Sequence, residues 1–250
     1  MSERFFMPQP PEGGHAVIVG DEARHLAKVL RAKVGDAVSL FDGSGREWPA
    51  RVATIGRDRV ELHAGEPALD PPRRGPRLSL AVALPKGERQ KWMVEKLTEL
   101  GVDRLVPLET ARGVAEATAA AQARLERVVI EACKQCGRNT LLEIAPARSL
   151  GQLLVDAAAA GQRVLVAHPD GGHPDLGASS AAAGDVVALV GPEGGFTDDE
   201  LGAADRAGVV RVSLGPHILR VETAAIAVAA RLTSTLTSTT HTGMHTGMMA

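Results

Sequence analysis

Through the first sixty-odd residues apolar and polar positions alternate in short stretches; beyond residue 77 the apolar positions gather into continuous runs separated by helical spacings. The alternating part predicts β segments at His15 to Val19, Ala37 to Phe41, Glu47 to Ile55 and Arg59 to Leu62. Turn signals divide them at Gly35-Asp36, at Asp42-Gly43-Ser44-Gly45 and at Gly56. A small β-barrel or sandwich is the expected result. One helix interrupts it, from about Glu22 to Arg31, with Arg24, Lys28 and Arg31 spaced by four and three so as to share a face. The segment Glu66 to Pro76 holds four prolines, which fix φ and remove backbone donors, and reads as a linker.

After it the runs Leu78 to Leu84, Arg104 to Leu108, Arg163 to Ala167, Asp185 to Val190 and Val209 to Leu214 have the character of parallel strands buried on both faces. Amphipathic helices are predicted between them. Met93, Leu97 and Leu100 follow helical spacing over Glu88 to Leu100, with Gly101 suited to the C-terminal cap. From Ala119 to Cys136 one apolar stripe takes in Leu125, Val128, Val129, Ala132, Cys133 and Cys136. A helix opening at Thr197 carries the T-x-x-E capping box with Glu200, and Gly208 ends it. The whole is an α/β domain built on crossover connections. The tail from Thr237, with its His-Thr-Gly-Met repeat, is low in complexity and expected to fray.

A chain of 250 residues accommodates one large domain or two smaller ones. With 44% hydrophobic and 23% charged residues it is expected to fold rather than to remain disordered. The start MSERFFMPQP lacks the apolar stretch of a signal peptide, so a cytoplasmic, non-membrane protein is expected. Two Cys supply neither a disulfide framework nor a four-thiol zinc site, and the His residues show no ligand spacing, so no metal is expected. Cys133-Lys-Gln-Cys136 is read as core sulfur rather than as a redox pair. The formal net charge of −2 hides a gradient: residues 151 to 250 carry 5 basic and 10 acidic side chains. Any contact with RNA must therefore be a local patch, and Arg24, Lys28, Arg31 and Arg138 are the candidates for phosphate contacts. Their plain alternative is a solvated helix face.

Two segments carry candidate chemistry. In Asp185 to Thr197 a buried strand runs into the loop Gly191-Pro-Glu-Gly-Gly195 and then into a capped helix, the place where α/β sheets bind ligands. The loop is neither a P-loop nor a dinucleotide fingerprint. In Leu214-Gly-Pro-His-Ile-Leu-Arg-Val-Glu-Thr-Ala224, Arg220 and Glu222 stand at the mouth of an otherwise apolar helix. Charges placed there need a reason, because unpaired burial is costly. Helix capping by Glu222 and catalysis by Glu222 are both consistent with the position.

Taken in order, Leu84-Pro-Lys-Gly-Glu-Arg89, Lys96-Leu-Thr-Glu-Leu-Gly-Val102, Gln135-Cys-Gly-Arg138, Leu189-Val-Gly-Pro-Glu-Gly-Gly195 and Leu214 to Ala224 resemble the 16S ribosomal RNA uracil-1498 N3-methyltransferases, the RsmE type of the SPOUT class. Arg4-Phe-Phe, His25-Leu-x-x-Val-Leu-Arg31 and Leu40-Phe-Asp-Gly43 resemble that family's PUA-like RNA-binding domain. The resemblance spans nearly the whole chain. It implies a PUA-like β-barrel over 1–70, a linker over 71–77, a SPOUT-type parallel sheet with a C-terminal trefoil knot over 78–238, and a tail over 239–250. It further implies S-adenosylmethionine as cofactor, 16S rRNA of the 30S subunit as substrate, and a homodimer with active sites at the subunit interface. Cofactor contacts are implied for Leu189, Gly191, Glu193, Gly194, Gly195, Leu214, Gly215, Ile218 and Leu219. Arg4 and Arg112 join the RNA contacts, and Arg220 and Glu222 are the implied catalytic pair. Two departures from the family pattern stand out: Thr110-Ala-Arg-Gly113 replaces a Thr-Glu-Arg-Ser-like stretch, and Val221 stands where a Thr is usual.

The chemistry suits those residues. Methyl transfer from a sulfonium is an in-line displacement, governed mainly by bringing the reacting atoms to near-attack distance. Uracil N3 is a poor nucleophile while protonated, so a group must accept its proton or stabilise the anion. Arg220 can stabilise charge on the uracil carbonyl oxygens, and Glu222 can accept the proton or hold Arg220. Two other readings remain at this stage: a related knotted enzyme acting on a ribose hydroxyl or another base, and a non-catalytic rRNA-binding assembly factor.

Overall fold

The computed structural model describes residues 3–71, 75–113, 118–172 and 184–238. The His-Thr-Gly-Met tail and part of the proline-rich linker lie outside the described residues. The chain divides into two compact units, one of residues 1–72 with 130–141, the other of residues 73–129 with 142–250.

The first unit is a six-stranded sheet of β1 (Glu3–Phe6), β2 (His15–Val19), β3 (Ala37–Phe41), β4 (Arg46–Ile55), β5 (Arg59–Ala64) and β6 (Ala68–Leu69). Its order is β1-β3-β4-β5-β2, with β6 on β4; β1 and β3 run parallel and the other pairs antiparallel. Strict alternation places Ala16 and Ile18 of β2, Trp48, Ala50 and Val52 of β4, and Val60 and Leu62 of β5 on the buried face. Strand β6 falls inside the segment expected to be pure linker, since Leu69 and Ala68 pair with Arg46 and Glu47. The expected helix is also altered. Helix α1 covers only Gly20–Arg24 and continues as a π-turn over His25–Val29, with Leu30 N–H donating to the His25 carbonyl at 3.0 Å. The i→i+5 bonding widens the turn relative to an α-helix, and Arg31 leaves the helix altogether at φ 53°. Arg31 is therefore not carried on the helical face expected to hold it beside Arg24 and Lys28.

The second unit is a parallel sheet of β7 (Leu78–Val82), β8 (Arg104–Glu109), β9 (Glu143–Ile144), β10 (Arg148–Ser149), β11 (Arg163–Gly172), β12 (Val186–Val190) and β13 (Val210–Val212). The order is β10-β8-β7-β12-β11-β13, with β9 on β8. Every residue of β7 and β12 is buried, as the continuous apolar runs predicted. The helices are α2 (Glu88–Glu99), α3 (Ala119–Cys136, whose residues from Ile130 on belong to the first unit), α4 (Leu150–Ala159), α5 (Asp198–Arg206) and α6 (Val221–Ser238). Helix α4 was not anticipated, although Ser149 and Gln152 form a full capping box before it. Strand β12 is inserted between β7 and β11, two strands that precede it in the chain. After β13 the chain returns to start α6, which packs on α2, β7 and β12. These returns bring the end of β11 and the segments after β12 and β13 to one edge of the sheet.

Candidate functional site

A cavity of about 350 Å³ opens at that edge. Its walls come from the end of β11 (Ala167, His168, Pro169), the loop after β12 (Val190 to Phe196), the segment after β13 (Leu214, Gly215, His217, Ile218, Leu219) and the first turn of α6 (Val221, Ala224). The two glycine-bearing segments singled out in the sequence, far apart in the chain, thus face one space. Of the expected cofactor residues, Gly191, Glu193, Gly194, Gly195, Leu214, Gly215, Ile218 and Leu219 line it. Leu189 does not: it is fully buried in the hydrophobic core, one residue before the strand end at which the cavity opens.

The glycine loop is held from several directions. A Cβ on Gly191 would lie 2.8 Å from the Phe196 ring, so the absent side chain is what lets that ring close the loop. Gly195 has φ +68°, and its N–H donates to the Pro192 carbonyl at 2.8 Å. Thr197 and Glu200 complete the predicted capping box of α5. Burial pushes the Glu200 carboxyl up, but N–H groups of Thr197 (2.8 Å) and Ala111 (2.9 Å) and the Thr197 hydroxyl donate to it, with Arg112 nearby, and together they hold it below the ordinary glutamate range. Arg112, expected at RNA or a subunit neighbour, is exposed and donates from Nη1 to the Gly194 carbonyl at 2.6 Å. The unusual Thr110 to Gly113 stretch is therefore a support for the loop.

The opposite wall owes its form to an irregular strand. Ala167 and Gly172 of β11 both register against Val212, leaving residues 168–171 looped out between them. Gly171 permits this, because a Cβ there would meet the Val212 backbone within 2.6 Å. The bulge carries His168 and Pro169 to the cavity, and the Gly171-Gly172 pair was the sequence signal that could have located them. Phe196 and His217 were likewise missed, each lying inside a segment already marked as a ligand loop.

The remaining expected residues separate into distinct groups. Arg220 lies between lining residues Leu219 and Val221 with an exposed side chain that makes no hydrogen bond or ion pair among the described residues. Glu222, expected beside it in the active site, is only 5% exposed and does not line the cavity. Arg4, expected at RNA, is bound within the first unit: its Nη1 donates to Glu47 at 2.7 Å and its Nη2 to Asn139 Oδ1 at 2.6 Å. Arg24 is ion-paired to Asp21 and Asp58, whereas Lys28 and Arg31 are exposed and Arg138 is half-buried. Cys133 is buried, as the apolar stripe predicted, but Cys136 is exposed, so the stripe ends before the last turn of α3. Among the described residues no cluster of potential metal ligands occurs, and no helix is long and apolar enough to cross a membrane.

Comparison with known proteins agrees with this architecture. Residues 73–233 match the model of an RNA methyltransferase domain, and residues 18–64 that of an RNA methyltransferase PUA domain. The chain is 37% identical over 223 residues to the ribosomal RNA small subunit methyltransferase E of Mycobacterium bovis, covering 86% of this chain and 85% of that one. The corresponding protein of Synechocystis sp. is 31% identical, over 85% and 71% of the two chains. The crystal structure of ribosomal RNA small subunit methyltransferase E from Neisseria gonorrhoeae, bound to S-adenosyl methionine, superposes with a TM-score of 0.82 at 31% identity, over 94% of this chain and 98% of that one. A PUA-like N-terminal domain followed by an RNA methyltransferase domain on a parallel α/β sheet is thus the fold, and the chain belongs to the ribosomal RNA small subunit methyltransferase E family.

Proposed function

We propose that the protein transfers the methyl group of S-adenosylmethionine to N3 of uracil 1498 in the 16S rRNA of the small ribosomal subunit, acting in the cytoplasm as a homodimer. The observation that carries this reading is the joint cavity of the Gly191–Gly195 and Leu214–Leu219 segments at the edge of a parallel sheet. Its volume of about 350 Å³ lies within the range of roughly 300–1,000 Å³ usual for small-molecule sites. The lining fits such a group: among the described residues it is mostly apolar or backbone, and Glu193 is the one carboxylate in it, suited to a cationic ligand. The trefoil knot of the C-terminal segment belongs to the same proposal.

When bound, the cofactor supplies an electrophilic methyl group on a sulfonium. The chain's own part is orientation and electrostatics. Gly191, Gly194, Gly195, Leu214, Gly215, Ile218 and Leu219 hold the donor through backbone and apolar contact, and Phe196 packs over Gly191 to keep water from that side. Arg220, exposed beside the lining residues, stabilises negative charge on the uracil carbonyl oxygens and so lowers the cost of the N3 anion, whose proton passes to solvent water. The base must leave its stack to reach this site, which is easier in irregular RNA than in a duplex. With 2% aromatic residues, phosphate contacts rather than stacking must carry most of the affinity, and the exposed Lys28 and Arg31 are proposed for that role, with Arg138.

The test is incubation of the purified chain with labelled cofactor and unmethylated 30S subunits, followed by mass-spectrometric location of the label. N3-methyluridine at position 1498 is the expected product. A methylated ribose or another base would replace the assignment with that of a related enzyme, and no transfer at all would favour the assembly-factor reading.

A further inference from the structure

The first turn of α6 carries a carboxylate that the proposed chemistry leaves without a task. Among the described residues, Glu222 Oε2 is buried and has no hydrogen-bond partner. Its ion-pair partner is the guanidinium of Arg89, whose Nη1 lies 3.9 Å away. The same nitrogen is 3.4 Å from Glu193 Oε1 in the glycine loop. Arg89 closes the segment Leu84-Pro-Lys-Gly-Glu-Arg and occupies the first turn of α2, which packs against α6. Helix α2 starts after the C-terminal end of β7, and α6 starts at the cavity beyond the C-terminal end of the neighbouring β12, so both helices begin at one sheet edge.

The two pairs of Arg89 are unequal. Arg89 and Glu193 are each roughly half exposed, and such surface pairs contribute little. Glu222 has a side-chain exposure of 6%, and a carboxylate buried that far is costly unless a cation and dipoles face it. The N-terminal dipole of its own helix helps, and Arg89 supplies the full charge. The residues flanking Glu222 matter here, because Val221 and Ala224 form the α6 wall of the cavity.

We propose that Arg89 and Glu222 are a positioning pair: together they fix the first turn of α6, and through it the Val221 and Ala224 wall against which the donor lies. Glu222 acts on the reaction through that wall and is not the proton acceptor. The inference rests on the cofactor reading above for what the wall contacts, but the pair itself is testable without it.

The experiment compares R89M, R89K, E222Q and R89M/E222Q in the full chain by three readouts: melting without cofactor, calorimetric titration with S-adenosylmethionine, and single-turnover transfer to unmethylated 30S subunits. R89M leaves a buried carboxylate without its cation, so it is expected to lower the melting temperature by about 3–6 °C and cofactor affinity about tenfold. R89K is expected to recover part of both. Adding E222Q to R89M is expected to restore melting and affinity to near the wild-type values, because the charge needing a partner is gone. E222Q alone is expected to lower the transfer rate by less than about tenfold, against the 10²–10⁴-fold loss that follows removal of a general base. A double variant as weak as R89M would overturn the pair and place Arg89 on the ligand itself. A loss of about 10³-fold in E222Q with cofactor binding intact would make Glu222 the proton acceptor after all. If the wild-type chain bound no cofactor, the functional reading would fall, while the melting comparison would still decide whether the pair exists.

Discussion

Arg4 and Arg220 are the same side chain in opposite settings in the two units. Arg4 is largely buried in the first unit and makes hydrogen bonds to Glu47, Asn139 and the Arg138 carbonyl, in a network that Asn139 extends to Asp70. Arg220, at the edge of a cavity in the second unit, is exposed, and its side chain has no protein partner among the described residues. A guanidinium whose Nη atoms bond to internal acceptors, as those of Arg4 do, holds a fold together, whereas one left in solvent beside a pocket is available to a ligand. Charge alone does not distinguish them; the partners do.

The largest effect that sharpens this contrast is expected from Arg220→Ala. Loss of a group that stabilises developing charge should lower single-turnover transfer by about 10²–10³-fold. The melting temperature should stay within about 1 °C of wild type, since exposed sites change stability little. The reverse pattern, with melting lowered and transfer intact, would put Arg220 in the class of Arg4. Next comes Gly191→Ala, whose new methyl would meet the Phe196 ring at 2.8 Å. Overpacking of this kind costs roughly 1–3 kcal/mol, and cofactor affinity measured by calorimetry should fall about tenfold or more.

Arg4→Met is expected to do the opposite of Arg220→Ala. It leaves Glu47 and Asn139 without their main donor, at a cost of about 1–3 kcal/mol. Melting should therefore fall by about 3–8 °C, with calorimetric cofactor affinity unchanged.

Much of the fold was legible because both sheets obey simple burial rules. The alternation in β2, β4 and β5 and the unbroken apolar runs of β7 and β12 are what one-sided and two-sided burial require. The capping box at Thr197 located α5 for a local reason, a side chain bonding to the next turn. What escaped depended on contacts the local pattern does not record. The two-residue strand β6 exists only through its pairing with β4. The π-turn after Arg24 looks helical in composition, yet it shifts every later side chain around the axis. In the site, the glycine positions were visible because a missing side chain is a local property. The Arg89 and Glu222 contact was not, since those residues are 133 positions apart and only helix packing joins them.

A smaller effect concerns Glu200, held below the ordinary glutamate range by the groups that donate to it. A carboxyl lowered in the folded state contributes stability above its unfolded value and loses it as pH falls through the folded value. The melting advantage of wild type over Glu200→Gln should accordingly be full near neutrality and shrink in acid. An advantage that stayed constant with pH would assign it to packing. The smallest test contrasts two thiols: Cys133, whose burial pushes it up to about 11, should resist alkylation at pH 7.5 while exposed Cys136 is modified. Equal labelling would show that the helix face there is open.

The most direct check of the account is a crystal structure of the chain grown with S-adenosylhomocysteine. Ligand density is expected between Gly191–Gly195 and Leu214–Leu219, with Val221 and Ala224 against it and Arg220 still facing solvent. Density at another place on the molecule, or an empty cavity at saturating ligand, would contradict it.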